Sequence, residues 1–305
     1  NLGTWHHEIT TTSDLAQKFF DQGLRLVYAF NHEEAIAAFT EASRLDPDAP
    51  MPYWGVALSL GPNINAAMDP KVEPRAVEAM QKATARLSQA TARERAYVEA
   101  LAARYSAKKS VTRKAKDDGY AKAMRQVARE APDDADAATI AAEAMMVLRP
   151  WDYWRADGRP QPGTEEILAI LEAALRQHPD HPGACHYYIH AVEASPDPQR
   201  ALDCAKRLPS LMPGAGHLVH MPAHIYMRLG RYREASERNA TAAMVDHEYL
   251  SRHPLEGNYA SGYYAHNLHF LNASLMMEGR SAEALQVARD LLAKVPADEV
   301  AKEPS

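Results

Sequence analysis

Cysteine, glycine and phenylalanine are scarce in this chain of 305 residues, with 2, 14 and 5 copies respectively. Two cysteines cannot build a disulfide framework. Cys185 and Cys204 both fall at positions typical of a helix core, which indicates reduced, buried thiols. The shortage of glycine and phenylalanine, together with abundant alanine, favours helices over sheets. The composition therefore predicts an all-α protein.

Long apolar runs and an excess of positive charge are also lacking. No stretch approaches the roughly 20 apolar residues that a membrane-spanning helix needs, so no membrane span is expected. The net charge of −6 argues against a nucleic-acid partner, because nucleic-acid-binding domains are usually basic. The chain begins with Asn1 instead of Met, and we expect that an upstream segment, such as a signal peptide, has been removed.

What the sequence does contain is an internal repeat. The first copy carries a small residue, then an Ala-x3-Phe-x2-Ala pattern and a closing proline, at Gly23, Ala35, Phe39, Ala42 and Pro47. The same register returns later in the chain: Pro179 to Pro213 and Ala201 to Ala235 each span 34 residues. A period of 34 with these residues is typical of paired helices stacked into an array.

This pattern resembles the tetratricopeptide repeat family. The chain is also similar to a group of bacterial tetratricopeptide proteins in five stretches, at 20–24, 30–32, 53–55, 61–63 and 217–222. That resemblance implies a fold but no activity. The location is left open between bacterial periplasmic or secreted and cytoplasmic, with the periplasm slightly favoured.

The resemblance implies a single domain, 1–305, folded as a right-handed superhelical solenoid of about seven helix pairs. We expect the pairs at 14–47, 50–89, 92–132, 135–179, 182–213, 216–247 and 265–297. The repeats within 14–179 are degenerate, whereas those within 182–297 carry histidines. Three inserted loops are expected at 61–73, 149–163 and 246–264, and loops of that length in a repeat array are usually functional.

Seven histidines occupy equivalent positions in the last three repeats. Counting each repeat so that its signature alanine is position 20, they fall at positions 2, 5 and 9 of the first helix: His186, His190, His217, His220, His224, His266 and His269. Positions three and four apart share one face of a helix. Fourteen histidines in 305 residues would place fewer than one in these nine positions by chance. In the repeat family this stripe lines the concave ligand surface, so we predict a polyhistidine metal site there.

Two glutamates are candidate catalytic residues on the same surface. Glu193 follows His190 by three residues, and Glu143 lies at position 9 of the fourth repeat. Either could be a ligand, a residue that orients an imidazole, or a general base. Whether His6, His7 or His32 joins the site is left open by the sequence.

An imidazole-rich set without thiolate suits copper, zinc or iron and argues against magnesium and calcium. Seven histidines exceed the needs of one ion, so two or more transition-metal ions are expected. Helix-borne sets of three histidines resemble the ligands of the binuclear copper sites of hemocyanin-type proteins, which have a different fold. We therefore predict a metalloenzyme, with copper-type oxidoreductase chemistry favoured.

Two alternatives remain. Zinc with three histidines and a nearby glutamate would imply a hydrolase. A scaffold that binds metal or peptide without catalysis is the other, because tetratricopeptide arrays more often bind peptides than catalyse. The expected partner is a small-molecule or peptide substrate in the concave cavity.

Overall fold

The computed structural model describes residues 1–105, 111–253 and 259–294. Within these ranges every regular element is a helix, and the β structure is limited to two isolated bridges. The prediction of an all-α protein is confirmed. Part of the third predicted insertion, 254–258, and the predicted end of the last pair, 295–297, lie outside the described residues. No helix in the described ranges has both the length and the apolar character needed to cross a bilayer.

The chain divides into two compact units. The N-terminal unit is Thr4–Pro196, and the C-terminal unit is Asp197–Ser305 together with Asn1–Gly3. The predicted fifth pair, 182–213, is divided by this boundary, because its first helix belongs to one unit and its second helix to the other. That the chain forms one domain stays a prediction.

The N-terminal unit contains four consecutive helix pairs and one further helix. Its elements are α1 Asp14–Tyr28, α2 His32–Leu45, α3 Pro50–Ser59, α4 Glu73–Thr84, α5 Ala92–Ala102, α6 Arg113–Glu130, α7 Ala135–Met146, α8 Thr164–Gln177 and α9 Pro182–Val192. Within each pair the two helices pack against one another, as the repeat predicts. The loops at 61–73 and 149–163 separate α3 from α4 and α7 from α8.

The signature residues of the first repeat explain how its helices approach so closely. Phe39 of α2 is fully buried, and its ring contacts the ring of Phe20 with centroids 5.3 Å apart. A Cβ atom added at Gly23 or at Gly55 would lie 2.6 Å from that ring. Glycine at these two positions therefore lets the phenylalanine of one helix fill the space between its neighbours.

The described part of the C-terminal unit contains six α-helices, besides a 3₁₀ helix at Pro198–Ala201 and a π-helix at Tyr259–Tyr264. The α-helices are α10 Leu202–Leu211, α11 Gly216–His220, α12 Pro222–Arg228, α13 Tyr232–Arg252, α14 Ala265–Met277 and α15 Ser281–Lys294. The first helix of the sixth predicted pair is divided into α11 and α12, because Pro222 has no N–H to continue the helical hydrogen bonds. The third insertion also begins later than expected, since α13 continues through 246–252.

Candidate metal centres

Three of the predicted metal-ligating histidines come together in the C-terminal unit. The Nε2 atoms of His220 and His224 are 2.8 Å apart, and the Nε2 atom of His266 lies 3.4 Å from that of His224. One ring nitrogen of each histidine lies within 4.8 Å of the other two. We call these three residues the C-terminal triad.

The triad is built on three helices that share one support. His220 ends α11, His224 lies in the first turn of α12, and His266 is the second residue of α14. All three helices pack against α13. The histidines four residues apart still converge across the break at Pro222, so the interruption preserves their common face.

The orientation of His220 is set by an amide on α13. Its Nδ1 atom lies 2.6 Å from Oδ1 of Asn239, which is fully buried. An amide oxygen only accepts, so Nδ1 carries the proton and Nε2 keeps its lone pair toward the triad. A partner on the far ring nitrogen is the usual arrangement of a histidine that ligates a metal.

Phe270 packs on all three imidazoles of the triad. Its ring centroid lies 4.9 Å from that of His220, 4.5 Å from that of His224 and 4.7 Å from that of His266. His220 and His224 are buried, and His266 is partly exposed. An aromatic wall lowers the local polarity and so strengthens electrostatic interactions within the cluster.

The spacing of the donor atoms is close to what one ion requires. Nitrogen ligands arranged tetrahedrally around an ion at 2.0–2.1 Å lie about 3.3 Å from one another. The His224–His266 separation of 3.4 Å matches that distance, and the 2.8 Å between His220 and His224 would widen by a few tenths of an ångström. Three imidazoles with one coordination position left open are the ligand set of catalytic sites.

The other two predicted ligands of this unit lie differently. His217 is buried one turn before His220, with ring centroids 5.8 Å apart, and its ring contacts that of Tyr263 at 4.8 Å. His269 is exposed on α14. Among the residues described here, His269 belongs to none of the groups of potential ligands that lie close together.

A buried carboxylate that the sequence analysis did not single out holds the segments that carry the triad. Asp246 of α13 accepts hydrogen bonds from the hydroxyl of Tyr259 (2.9 Å) and from Nδ2 of Asn267 (2.5 Å), the residue after His266. Burial raises the pKa of Asp246 to about 6, although both hydrogen bonds oppose that rise. A Cβ atom at Gly216 would overlap the carboxylate, so glycine is required there. Only the position of Asp246 in an expected insertion hinted at a role.

Two further predicted ligands, His186 and His190 of α9, form an adjacent couple in the N-terminal unit that we call the N-terminal pair. Both are buried, and their ring centroids are 4.9 Å apart. His186 Nδ1 donates to the carbonyl oxygen of Tyr28 at 2.6 Å, and His190 Nδ1 lies 2.8 Å from Oε1 of Glu193. Each partner accepts a hydrogen bond from Nδ1, which leaves Nε2 as the atom of each ring that can bind a metal. Glu193 therefore contacts His190 as an orienting carboxylate.

Two aromatic residues with unusual backbone conformations flank the N-terminal pair. Phe30 has a φ of 58° and its ring lies 4.5 Å from that of His186; Trp151 has a φ of 62° and its ring lies 5.0 Å from that of His190. Positive φ is costly for bulky residues and persists only where surrounding structure enforces it. Such residues cluster at functional sites, which supports a role for this pair.

Glu143 lies in a small pocket of the N-terminal unit beside His32 and Arg104. Burial raises the pKa of Glu143 to about 7, and the charge of Arg104 opposes that rise. His32 is uncharged near neutral pH, because burial lowers its pKa to about 4. A carboxyl group that titrates near 7 is suited to general acid–base chemistry.

His7 belongs to a separate buried network centred on Asp136. Its Nδ1 atom lies 2.8 Å from Asp136 Oδ2, while Tyr28, Trp5 and His181 approach Oδ1 at 2.5, 3.0 and 3.2 Å. Burial alone would raise the pKa of Asp136, but the hydrogen bonds from His181 and His7 hold it well below its usual value. His6 has an exposed ring and contacts Asp21 at 2.7 Å. Nothing in the repeat pattern pointed to His181, because a residue before a helix proline is ordinarily read as a cap.

Comparison with known proteins gives structural likeness only. No protein-family model and no curated protein matches this chain. Among solved structures, the crystal structure of MamA protein aligns at 13% identity with a TM-score of 0.45, over 62% of this chain and 87% of that chain.

Two other solved structures align over most of this chain. TTC0263, a thermophilic TPR protein in Thermus thermophilus, aligns at 14% identity with a TM-score of 0.40, over 89% and 99% of the two chains. A human IFIT1 dimer with m7Gppp-AAAA aligns at 13% identity with a TM-score of 0.43, over 94% and 72%.

The tetratricopeptide character of this chain therefore rests on its own residues. The 34-residue period, the signature glycine, alanines and phenylalanine, and the helix pairs that they build agree with one another. Membership of the histidine-rich bacterial group is not confirmed. The chain has a tetratricopeptide-like fold in which the first helices of the later repeats carry histidines.

Proposed function

We propose that this protein is a metal-dependent enzyme whose C-terminal triad binds a transition-metal ion, and that its chemistry is of the copper oxidoreductase type. The observation that carries the proposal is the convergence of three Nε2 atoms, one of them preset by a buried amide. A copper ion bound there would supply one-electron redox chemistry, while the chain's own residues hold the imidazoles and exclude water.

The donor chemistry supports copper ahead of other ions. The triad offers imidazole alone, and both cysteines are buried without forming a disulfide. Imidazole sites bind copper(II) more tightly than the other divalent first-row metals. Phe270 keeps the site apolar on one side, which favours a substrate that is itself at least partly apolar.

The N-terminal pair supports a second ion. Each of its histidines has Nδ1 engaged and Nε2 directed away from its partner, which is the form that ligates a metal. Two imidazoles are too few to complete a coordination shell, so further ligands such as water or substrate would be required. We therefore expect two ions or more per chain.

A zinc-type hydrolase is the second candidate, and two carboxylates favour it. Glu193 contacts His190 directly, and the pKa of Glu143 is raised to about 7 by burial. A metal-dependent hydrolase needs a carboxylate or imidazole that can take a proton from bound water. A metal- or peptide-binding scaffold without turnover is the third candidate, and it requires only the fold and the histidines.

The experiment compares two neighbouring histidines on one helix. The full-length chain, stripped by chelation, is titrated with copper(II) and zinc(II), and bound metal is measured by elemental analysis. We expect His266→Ala to lose one equivalent, whereas His269→Ala, an exposed position on the same helix, keeps the wild-type complement. Equal loss in both variants, or less than one equivalent in wild type, would refute the site.

Turnover then separates the candidates. The copper-loaded protein is assayed for aerobic oxidation of a catechol, and the zinc-loaded protein for hydrolysis of a p-nitrophenyl ester. Oxidation that disappears in His266→Ala supports the oxidoreductase. Hydrolysis that disappears in the same variant supports the hydrolase, and metal binding without either activity supports the scaffold.

A further inference from the structure

The pocket beside Glu143 contains a cation that the proposed metal chemistry does not use. Nine side chains of the N-terminal unit line it, among them His32, Asn63, Arg104, Glu143 and Tyr187. The void is about 10 Å³, which is room for one very small molecule, and it opens to solvent at its mouth. Five of the nine lining residues are apolar, and the four polar ones decide what the pocket can hold.

Arg104 is the charged group of this pocket, and it is completely buried. Its Nε edge faces Asp117, with Nε 3.2 Å from Oδ1, and its guanidinium lies 4.1 Å above the ring of Tyr120. Neither Nη1 nor Nη2 has a hydrogen-bond acceptor among the described residues. Four N–H donors at one end of the guanidinium are thus buried without a partner.

The Arg104 guanidinium cannot remove these unpaired N–H donors by losing a proton. Arginine stays charged at any pH that a protein tolerates, whereas a buried donor without an acceptor costs on the order of 1–3 kcal/mol. The two nitrogens at this end form a planar fork that matches the two oxygens of a carboxylate. The ligand that would satisfy Arg104 is therefore anionic, planar and bidentate.

The loop at 61–63 leaves room for this fork. A Cβ atom at Gly61 would lie 3.0 Å from Nη1 of Arg104 and 2.8 Å from the hydroxyl of Tyr105. Any larger residue would push against both groups. The Gly-Pro-Asn stretch thus contributes Pro62 and Asn63 to the lining and Gly61 to the space.

The surrounding charges allow an additional anion. Asp117 is shared between two cations, because its Oδ1 atom faces Arg104 and its Oδ2 atom accepts from Arg113 at 3.1 Å. Glu143 can take up a proton near neutral pH, because burial raises its pKa to about 7. His32 is neutral there, so an entering anion would meet one buried cation and one carboxyl group that can be neutralised.

We propose that this pocket binds a compact monocarboxylate anion, whose two oxygens accept hydrogen bonds from Nη1 and Nη2 of Arg104. The inference stands without the metal sites. The pocket lies next to the N-terminal pair, because Tyr187 both lines the pocket and stacks on His186, with ring centroids 5.3 Å apart.

The test uses formate, which is the smallest carboxylate, and formamide, which has the same shape without the charge. Both are titrated into the full-length chain, with and without chelator, and binding is followed by calorimetry. We expect saturable formate binding in the millimolar range and none for formamide, with the same result after chelation. Formamide binding as tightly as formate would overturn an anion site.

Two conservative variants locate the ligand. Arg104→Lys keeps a buried cation but removes the fork, and should weaken formate at least about tenfold. Glu143→Gln keeps the shape of the pocket and removes the competing carboxylate, so it should bind formate several-fold more tightly. If wild type and Glu143→Gln both fail to bind at roughly 100 mM, or if both variants bind as wild type does, the proposal is wrong.

Discussion

Asp136 in the N-terminal unit and Asp246 in the C-terminal unit are both buried, and their pKa values are shifted in opposite directions. Asp136 in the N-terminal unit is approached by two imidazoles, a phenol and an indole, and its pKa is held well below the usual value despite burial. Asp246 in the C-terminal unit accepts from one phenol and one amide, and burial raises its pKa to about 6.

The difference between the two pKa values comes from the hydrogen-bond donors and not from the extent of burial. Both side chains are almost inaccessible, at 4% for Asp136 and 0% for Asp246. Four groups donate to Asp136, and one of them, His7, is an imidazole that can carry positive charge; the two groups that donate to Asp246, Tyr259 and Asn267, are neutral. Hydrogen bonding offsets desolvation only when donors are numerous or charged. Asp136 is therefore a structural anion, and Asp246 is an acid that ionises within reach of ordinary pH.

The largest loss of stability is expected when the Asp136 carboxylate is replaced. Asp136→Asn retains the size of the side chain but removes the negative charge that His7, Tyr28, Trp5 and His181 surround. Breaking such a buried, charge-assisted network costs about 3–5 kcal/mol. Urea unfolding at pH 7, followed by circular dichroism, should show that loss.

Asp246→Asn is the matched control for this comparison. Asn267 can turn its amide so that its Oδ1 atom, which has no partner in the described part of the chain, accepts from the new side chain. The free energy of unfolding at pH 7 should therefore change by no more than about 1 kcal/mol. Equal destabilisation of the two variants would contradict the distinction between the two aspartates.

Metal removal is expected to act mainly on the C-terminal unit. A ligand that binds only the folded state at 1,000 times its Kd adds about 4 kcal/mol of stability. Chelation should therefore lower the melting temperature of wild type and leave His220→Ala unchanged, because that variant has already lost a ligand of the triad. Hydrogen exchange should show the loosening at α11–α14. An unchanged melting temperature after verified metal removal would argue against a resident ion.

The pH dependence of stability should carry opposite signs for the two aspartates. The pKa of Asp246 is raised above its unfolded value of 3.8, so the folded state binds more protons and its stability rises as pH falls from about 6 to about 4. Two pKa units correspond to roughly 3 kcal/mol. The pKa of Asp136 is lowered, so its contribution is complete above pH 3.8 and is lost as pH falls below that value.

Unfolding free energies of wild type and Asp246→Asn between pH 4 and pH 7 measure the first effect. The difference between the two proteins should grow toward pH 4 in favour of wild type. A difference that stays constant over this range would mean that Asp246 is ionised throughout, and that its environment resembles that of Asp136 after all.

The smallest effects are expected at the residues that orient the imidazoles. Asn239→Ala removes the acceptor of His220 Nδ1, and Glu193→Gln replaces the carboxylate that His190 contacts. Losing such a partner typically weakens metal binding 10–100-fold. Metal titration should give a weaker effect for Glu193→Gln, because glutamine still accepts a hydrogen bond, and far-UV signals should be unchanged in both. A wild-type affinity in Asn239→Ala would remove Asn239 from the site.

Much of the fold could be predicted because the repeat pattern fixes where its helices begin and end and which of them pair. Signature residues, including the glycine beneath Phe39, predicted the first helix pair, and helical periodicity predicted the next three, with small errors at their ends. The errors elsewhere have local causes. Pro222 interrupts a helix that the period treats as continuous, and α13 runs past its expected end because Asp246 has partners from two later segments.

For the candidate sites, helical spacing could predict only which histidines on one helix are neighbours. A spacing of four residues put His220 beside His224 and His186 beside His190, and both relations hold. Spacing also placed His269 in the same stripe as His266, yet His269 is exposed, and Phe270, four residues after His266, packs on the imidazole instead. Whether the two histidine groups serve one site stays a prediction.

The sequence by itself determined the helical class, the pairing of neighbouring helices and the stripe of imidazoles, because all three follow from contacts between residues close in the chain. Only the tertiary structure decided the protonation of those imidazoles and the charge of the buried acids. Asn239 lies 19 residues from His220, Tyr28 lies 158 residues from His186, and His7 lies 129 residues from Asp136. The pKa of a buried group depends on every donor that surrounds it, and those donors are brought together by packing and not by spacing.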